Sequence, residues 1–166
     1  MKSISIVLII FLVKFLVSAE TKTEVKGSNN CYVSFGGNTI YLKGRGINVI
    51  TFDPNVPSAI EASVFDTDSY GIVSGGSSAS ASFLNYMNNF EYQGQIVLIV
   101  SVDDSASCLS NEARSFLKKY GIDSIGFRSS FVTVLISDMN YKFTKIRSKY
   151  NITESSSSTL DFIYSA

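Results

Sequence analysis

The feature that most constrains the fold is a short apolar run, Ile96 to Val100, in the middle of the chain. It contains only β-branched residues and leucine, which is typical of a strand covered on both faces. Asp103 and Asp104 follow shortly afterwards, and two adjacent carboxylates cannot continue unpaired into an apolar interior. The run therefore predicts a central β-strand that ends at an acidic rim.

A helix is predicted directly after this strand. Apolar residues recur at helical spacing from Leu109 to Tyr120, Ser105 or Ser107 is available as the N-cap, and Gly121 provides the stop. The acidic rim thus lies where a buried strand leads to a helix N-terminus. That is the usual place for a site in an α/β domain.

Composition excludes several classes of function. The chain has 166 residues, of which 45% are hydrophobic, enough for one domain with a sizeable core. Its 14 basic and 14 acidic residues cancel, so no overall field favours nucleic acid as a partner. Histidine is absent, which excludes Ser-His-Asp and Cys-His catalysis and any zinc site that contains histidine. We predict no metal and no cofactor.

The N-terminus is typical of a secretory leader. A lysine precedes the largely apolar run Ile4 to Val13, and Val17 to Ala19 fits a signal-peptidase site. A transmembrane anchor is the alternative, but Lys14 interrupts the run well short of the roughly 20 apolar residues of a spanning helix. We therefore expect residues 1–19 to be a cleaved leader and residues 20–30 a polar spacer. The mature protein is expected to be extracellular, with no membrane contact.

Three further residues are interpreted on the expectation that the chain is secreted. Cys31 and Cys108 are the only cysteines, and in an oxidising compartment they can form one disulfide. The alternative is two unpaired thiols, at least one of them buried. Asn151 opens an Asn-Ile-Thr triplet, the acceptor pattern for N-glycosylation, and this predicts an exposed site in a secreted chain.

Other strands are predicted on both sides of the central strand. Cys31–Phe35 and Thr39–Leu42 flank a Gly-Gly-Asn turn and form a hairpin candidate. Tyr141–Tyr150 is predicted to be either a last strand or a short helix. The remaining strand candidates are Ile47–Phe52, Ala59–Phe65, Ser124–Phe127 and Phe131–Ile136.

Two segments are rich in small polar residues. Tyr70–Ser82 contains many Gly and Ser residues and is predicted to be a flexible linker into a helix. The apolar stripe of that helix is expected at Phe83, Leu84, Met87 and Phe90. Residues 151–166 are Ser-rich and are expected to form a loosely held tail.

Two arginines stand at predicted strand ends. Arg45 lies between Gly44 and Gly46, which suggests a backbone that turns sharply or lets another group approach closely. Arg128 lies between apolar runs, so its charge needs a partner or a wet cavity. Spacing alone leaves two alternatives open for each arginine. One is a site residue, and the other is a structural arginine, in a surface bend for Arg45 and in a salt bridge at a strand turn for Arg128.

Four motifs, taken in order, resemble the ILEI/PANDER family. They are GRGINVITFD at residues 44–53, VFDT at 64–67, GQIVLIVSVDDSASCLSNEARSFLKKYG at 94–121 and FRSSFV at 127–132. The resemblance covers about residues 31–137. This family contains secreted, non-enzymatic signalling proteins, and its domain is similar to the stem domain of protein O-mannose N-acetylglucosaminyltransferase.

The resemblance implies a β-rich α/β domain at residues 31–150, in which two packed β-sheets are flanked by short helices. It also implies a carbohydrate pocket, since the stem-type relatives bind sugar with two arginines and an acid. The matching positions are Arg45, Asp103 and Arg128. The family's cysteine at the position of Cys31 usually pairs with one further upstream that is absent here. A bridge from Cys31 to Cys108 would be particular to this chain.

Three functions follow from these observations. The first is a secreted ligand-binding or cytokine-like signalling domain, with a glycan or a cell-surface receptor as its partner. The second is a structural extracellular module. The third is a carboxylate-based glycosidase that draws on Asp103, Asp104, Asp66 and Glu112. Adjacent residues of a strand point to opposite faces, which argues against Asp103 and Asp104 flanking one bond. We adopt the first function and predict that the protein is not an enzyme.

Overall fold

The structure is a computed structural model. It describes residues 14–22, 31–35, 38–42, 44–53, 56–68, 76–91, 94–138, 142–151 and 157–165. Along the chain these form β1 (Lys14–Lys22), β2 (Cys31–Phe35), β3 (Asn38–Leu42), β4 (Gly46–Asp53), β5 (Val56–Phe65), α1 (Gly76–Asn88), β6 (Ile96–Val102), α2 (Asn111–Lys119), β7 (Ser130–Ser137), β8 (Phe143–Asn151) and β9 (Ser157–Ser165).

The strands form two antiparallel sheets. One has four strands in the order β3-β2-β1-β9, and the other has five in the order β5-β4-β6-β7-β8. The predicted hairpin is confirmed, since Cys31 on β2 is paired with Leu42 on β3. Two sheets and two short helices give the β-rich α/β class that the sequence predicted.

The five-stranded sheet is covered on both faces. Side chains alternate along a strand, so β6 supplies Ile96, Leu98 and Val100 to one face and Val97 and Ile99 to the other. The first face packs against apolar residues of the four-stranded sheet. The second packs against the two helices. Every residue of β6 is buried, which confirms the predicted central strand.

Helix α1 includes part of the segment predicted to be a linker. Gly76–Ser82 is helical, and residues 69–75 lie outside the described part. Ser80 is fully buried, and its hydroxyl accepts a hydrogen bond from the backbone N–H of Ser110 at 2.9 Å. These small residues therefore belong to a helix that lies close to the start of α2. The predicted stripe is confirmed on the helix at Phe83 and Met87, which are buried, and at Leu84, which is partly buried; Phe90 is buried but lies two residues beyond the end of α1.

Helix α2 begins later than predicted. Its N-cap is Ser110, whose side chain accepts from the N–H of Ala113. The predicted stop at Gly121 is confirmed by its φ of +91°. The N–H of Gly121 donates to the carbonyl of Lys118 at 3.0 Å, and the N–H of Ile122 donates to the carbonyl of Leu117 at 3.1 Å. These two bonds close the helix in a Schellman motif.

Two predictions about the later part of the chain were wrong. Residues 124–127 are not a strand, because the chain there runs into a turn that ends at Ser129, whose N–H donates to the carbonyl of Gly126 at 3.2 Å. The segment expected to be a loose tail contains β9, which pairs with β1 along its whole length. Ser158 on β9 is also buried and bonds to Ser130 on β7, with 2.9 Å between the two hydroxyl oxygens. This buried contact and the backbone ladder hold the segment in place.

The structure describes only part of the predicted leader and only one residue of the predicted glycosylation triplet. Strand β1 includes Val17 to Ala19, where leader cleavage was predicted. Residues 1–13 and 23–30 lie outside the described part. Asn151 ends β8 and is exposed, while the other two residues of its triplet are not described. No helix in the described part of the chain is long and apolar enough to cross a membrane.

The predicted disulfide is not formed. Cys31 is buried between the two sheets, with its Sγ 3.9 Å from the carbonyl oxygen of Ser101. Cys108 lies in the loop before α2, where its N–H donates to the carbonyl of Thr67 at 2.9 Å. The layer between the sheets holds one thiol and the loop holds the other, so the fold does not bring them together.

Candidate functional site at one end of the central sheet

Four strands of the five-stranded sheet have an end at the same place. β4 begins at Gly46, which is paired with Val102, the last residue of β6. β5 ends at Phe65, one residue pair further along β4. β7 begins beside the end of β6, since Val100 is paired with Val132. We call this place the ion-pair end. Charged residues directly flank these strands, namely Arg45, Asp66, Asp68, Asp103, Asp104 and Arg128.

Arg45 is held by two carboxylates that follow β5. Its Nη1 lies 2.7 Å from Oδ2 of Asp68, and its Nη2 lies 3.3 Å from Oδ2 of Asp66. Asp68 is buried, so its pairing with a guanidinium compensates for lost hydration. Arg45 therefore lies at the strand end predicted for a site residue. Its ion pairs with Asp66 and Asp68, however, are those expected of a structural residue.

Arg128 is paired with the acid that follows the central strand. Its Nε lies 3.3 Å from Oδ1 of Asp103. Burial raises the pKa of Asp103 above its ordinary value; Asp68 and Asp104 act in the same direction, and Arg128 and Arg45 oppose them. Arg45 and Asp68 from one ion-pair group and Arg128 from the other therefore all influence the pKa of Asp103. The three predicted site residues lie at one end of the sheet and within one electrostatic cluster.

The backbone is strained at both partners of this pair. In the described part of the chain, Asp103 with φ +54° and Arg128 with φ +48° are the non-glycine residues at positive φ. Such a conformation costs about 1–3 kcal/mol for a residue with a side chain, and strain of this kind clusters at functional sites. The rest of the fold must hold both residues in place.

The ion pair also leaves one carboxylate oxygen incompletely satisfied. Oδ1 of Asp103 is buried but has no hydrogen-bond partner among the described residues, because its 3.3 Å contact with Arg128 lacks hydrogen-bond geometry. Buried polar atoms in native proteins are nearly always hydrogen-bonded. This oxygen is therefore under-satisfied in the fold, while the Asp103 side chain as a whole remains partly exposed.

The two glycines around Arg45 confirm the predicted close approach. Gly46 has φ +89°, and a Cβ there would lie 2.2 Å from the carbonyl oxygen of Phe65. A Cβ on Gly44 would lie 2.2 Å from a methyl carbon of Val64. Only glycine lets β4 begin this close to β5, and this contact sets the position of Arg45.

The acid loop after β6 is fixed by its own side chains. Asp104 is buried; its Oδ1 accepts from the N–H of Ala106 at 2.9 Å, and its Oδ2 accepts from the hydroxyl of Ser107. Thr67 is also buried and donates from its hydroxyl to the carbonyl of Ser105 at 2.9 Å. The loop is thus bound to Thr67, which lies between the two residues that pair with Arg45.

Arg114 on α2 connects the acid loop to the segment before Arg128. Its guanidinium donates to the carbonyls of Ala106 at 2.6 Å, Leu109 at 3.3 Å and Ile125 at 2.9 Å. This role was not predicted from the sequence, because carbonyl contacts leave no mark in a helical pattern. Asp68 was not predicted as a partner of Arg45 either, although it is an acid only three residues after the predicted strand Ala59–Phe65.

The carboxylates named for a glycosidase have other partners. Both oxygens of Asp104 are used within the loop, and Asp103 is paired with Arg128. Glu112 lies in the exposed first turn of α2, where hydrogen bonds from its own backbone N–H and from Ser110 lower its pKa. In the described residues, no group of three or more His, Cys, Asp or Glu side chains is arranged to hold a metal ion.

A shallow groove lies away from the predicted site residues. It is at the C-terminal end of α1 and is lined by Asn85, Tyr86, Asn89, Phe90 and Glu91. The side-chain amide of Asn89 donates to the carbonyl and the amide oxygen of Asn85. This groove does not include Arg45, Asp103 or Arg128.

Comparison with known proteins gives two matches. The family model described as "Interleukin-like EMT inducer" matches residues 45–139, a range that contains the whole ion-pair end. The chain is also similar to "Protein FAM3C" of Rattus norvegicus, with 33% identity over 92 residues. That match covers 54% of this chain and 37% of the relative, so the chain matches well under half of the relative's length.

Proposed function

Because this chain belongs to the interleukin-like EMT inducer family, we propose that it is a carbohydrate-binding, cytokine-like domain that acts outside the cell and does not catalyse a reaction. The family predicted from the motifs is confirmed. The binding of a glycan is argued from the ion-pair end.

The observation that carries the proposal is the convergence of Arg45, Asp103 and Arg128 at the ends of neighbouring strands. A guanidinium offers planar, directed N–H donors, and a carboxylate accepts from several directions. Sugar hydroxyl and acetamido groups have matching acceptors and donors. The carboxylate of Asp103 is partly exposed, so its accessible part can accept from a sugar hydroxyl.

Backbone strain supports a binding role over a purely structural one. An ion pair that only stabilises the fold needs no residue at positive φ, yet Asp103 and Arg128 both have one. Conformations of this kind orient side chains at the expense of stability. The strain is explained if the position of the two side chains matters to a ligand.

A structural extracellular module is the second candidate. It is favoured by the ion pairs themselves, because both arginines already have carboxylate partners. In that case the cluster holds the strand ends together and has no ligand. The two candidates differ in what happens when one guanidinium is removed from a protein that still folds.

The test is a glycan array probed with the purified secreted protein and its Arg128→Gly variant. Glycine removes the guanidinium and also suits the positive φ, so the variant is expected to be secreted and folded. We expect its binding to fall at least about tenfold, as for other residues that dominate an interface. Lys118→Ala, on the exposed surface of α2, is the control and should bind like the wild type.

Two results would count against the carbohydrate proposal. Equal array signals for the wild type and Arg128→Gly would remove Arg128 from the site. Failure of the glycine variant to be secreted would make the Arg128–Asp103 pair a requirement of folding and favour the structural module. Turnover of chromogenic glycosides by the pure wild type would instead favour the enzyme.

A further inference from the structure

Phe127, the residue before Arg128, is an exposed aromatic side chain at the ion-pair end. Phe127 is 51% exposed. Its ring lies next to the guanidinium of Arg128, with 5.1 Å between the ring centroid and Cζ. A single exposed apolar residue is common on protein surfaces. This one directly adjoins the only described ion pair whose two partners are both at positive φ.

The turn that carries Phe127 is closed from both sides. The N–H of Ser129 donates to the carbonyl of Gly126 at 3.2 Å, and the N–H of Gly126 donates to the hydroxyl of Ser129 at 3.0 Å. Phe127 and Arg128 are the two central residues of this turn. The cation–π contact between them further restricts the ring. An aromatic ring held in this way loses little conformational entropy when it binds.

The charges at the ion-pair end disfavour an anionic ligand. The described residues there contribute four carboxylates, of Asp66, Asp68, Asp103 and Asp104, and two guanidiniums, of Arg45 and Arg128, and Arg114 on α2 adds a third guanidinium beside the acid loop. The guanidiniums of Arg45 and Arg128 already contact carboxylates at 2.7–3.3 Å, and that of Arg114 is bonded to backbone carbonyls. A sulfate or a sialic acid carboxylate would meet an excess of negative charge.

We propose that the ligand is an uncharged saccharide, one face of whose ring stacks on Phe127 while its hydroxyls bind Asp103 and Arg128. The C–H groups of a pyranose ring form an apolar face that suits an aromatic side chain, and its hydroxyls suit the polar groups beside that side chain. This inference rests on the proposed function, because it names the class of sugar for the same site. Phe127 orients the sugar ring, and the surplus of carboxylates selects a sugar that carries no negative charge.

The test uses the full secreted chain on a panel of immobilised oligosaccharides. Each backbone is present in an uncharged, a sialylated and a sulfated form. The variants are Phe127→Ala, Phe127→Trp and the control Tyr41→Ala. Tyr41 is an exposed aromatic, at 65%, on the edge strand of the other sheet. Circular dichroism checks that each variant is folded.

The wild type is expected to bind the uncharged forms at least about tenfold more strongly than their charged counterparts. Phe127→Ala should weaken that binding roughly tenfold, or about 1.4 kcal/mol. Phe127→Trp should retain it because the aromatic face is kept, and Tyr41→Ala should match the wild type.

The outcomes separate the two proposals. If Phe127→Ala binds as the wild type does, or if sulfated or sialylated forms bind best, the inference is overturned while carbohydrate binding stands. If the wild type binds no member of the panel, the proposed function fails and this inference fails with it.

Discussion

The two ends of the five-stranded sheet are built in opposite ways. At the end opposite the ion-pair end, β6 and β7 are joined by ordinary backbone bonds. The N–H of Gly94 donates to the carbonyl of Ser137 at 3.0 Å, and the N–H of Ser137 donates to the carbonyl of Gln95 at 3.0 Å. The positive φ needed there, +68°, belongs to Gly94, which adopts it without strain.

At the ion-pair end, two residues with side chains, Asp103 and Arg128, adopt positive φ in addition to Gly46, and a buried carboxylate oxygen has no aligned donor. Positive φ at residues with side chains and an unsatisfied buried oxygen both lower stability. The opposite end shows that the same sheet can end on a glycine and ordinary backbone bonds instead. Where a protein departs from local backbone and hydrogen-bonding preferences, the place is often a functional site, and the rest of the fold compensates for the lost stability. The comparison therefore supports the proposal that the functional site lies at the ion-pair end.

The largest effect is expected from placing a methyl group at the glycine of each end. Gly46→Ala should lower the free energy of unfolding by at least about 3 kcal/mol, because both φ +89° and the carbonyl of Phe65 oppose a Cβ. Gly94→Ala should lose only about 1 kcal/mol, since no atom lies within 4 Å of the added Cβ. Urea denaturation measures both variants. Equal losses would mean that the close approach of β4 and β5 does not matter.

A smaller effect is expected from the strain at Arg128. Arg128→Gly and Arg128→Ala lose the same ion pair, so the difference between them isolates the backbone. The glycine variant should be more stable by about 1 kcal/mol, because Arg128 has φ +48°. The same pair of substitutions at the exposed Ser124, which has no positive φ, should give the opposite order. A more stable alanine variant at position 128 would show that the strain is not real.

The smallest effect is the pH dependence of Asp103. Burial raises the pKa of this carboxyl above 3.8, so the folded state binds the proton more tightly than the unfolded state does. Its contribution to stability is full below pH 3.8 and is lost as the pH rises through the raised pKa. The free energy of unfolding of the wild type, relative to Asp103→Asn, should therefore fall from acidic to neutral pH. A relative rise would show that attraction to Arg128 outweighs burial.

The sequence by itself determined the central strand, the family and the residue types of the site. The run Ile96 to Val100 is apolar throughout, so it required cover on both faces. Gly121 and the stripe from Phe83 to Met87 encoded a helix stop and a helix face, because both depend on residues close together in the chain. Arg45, Asp103 and Arg128 were identified from motifs, together with their positions at strand ends.

Only the tertiary structure decided what these residues contact. The antiparallel register of β4, β6 and β7 brings Arg45 and Arg128 close enough for both to influence the pKa of Asp103, and register is a property of strand pairs rather than of any one segment. The strand at Ser157–Ser165, which pairs with β1, and the bond from Arg114 to the carbonyl of Ile125 were missed for the same reason. Each depends on a partner that becomes adjacent only when the chain has folded.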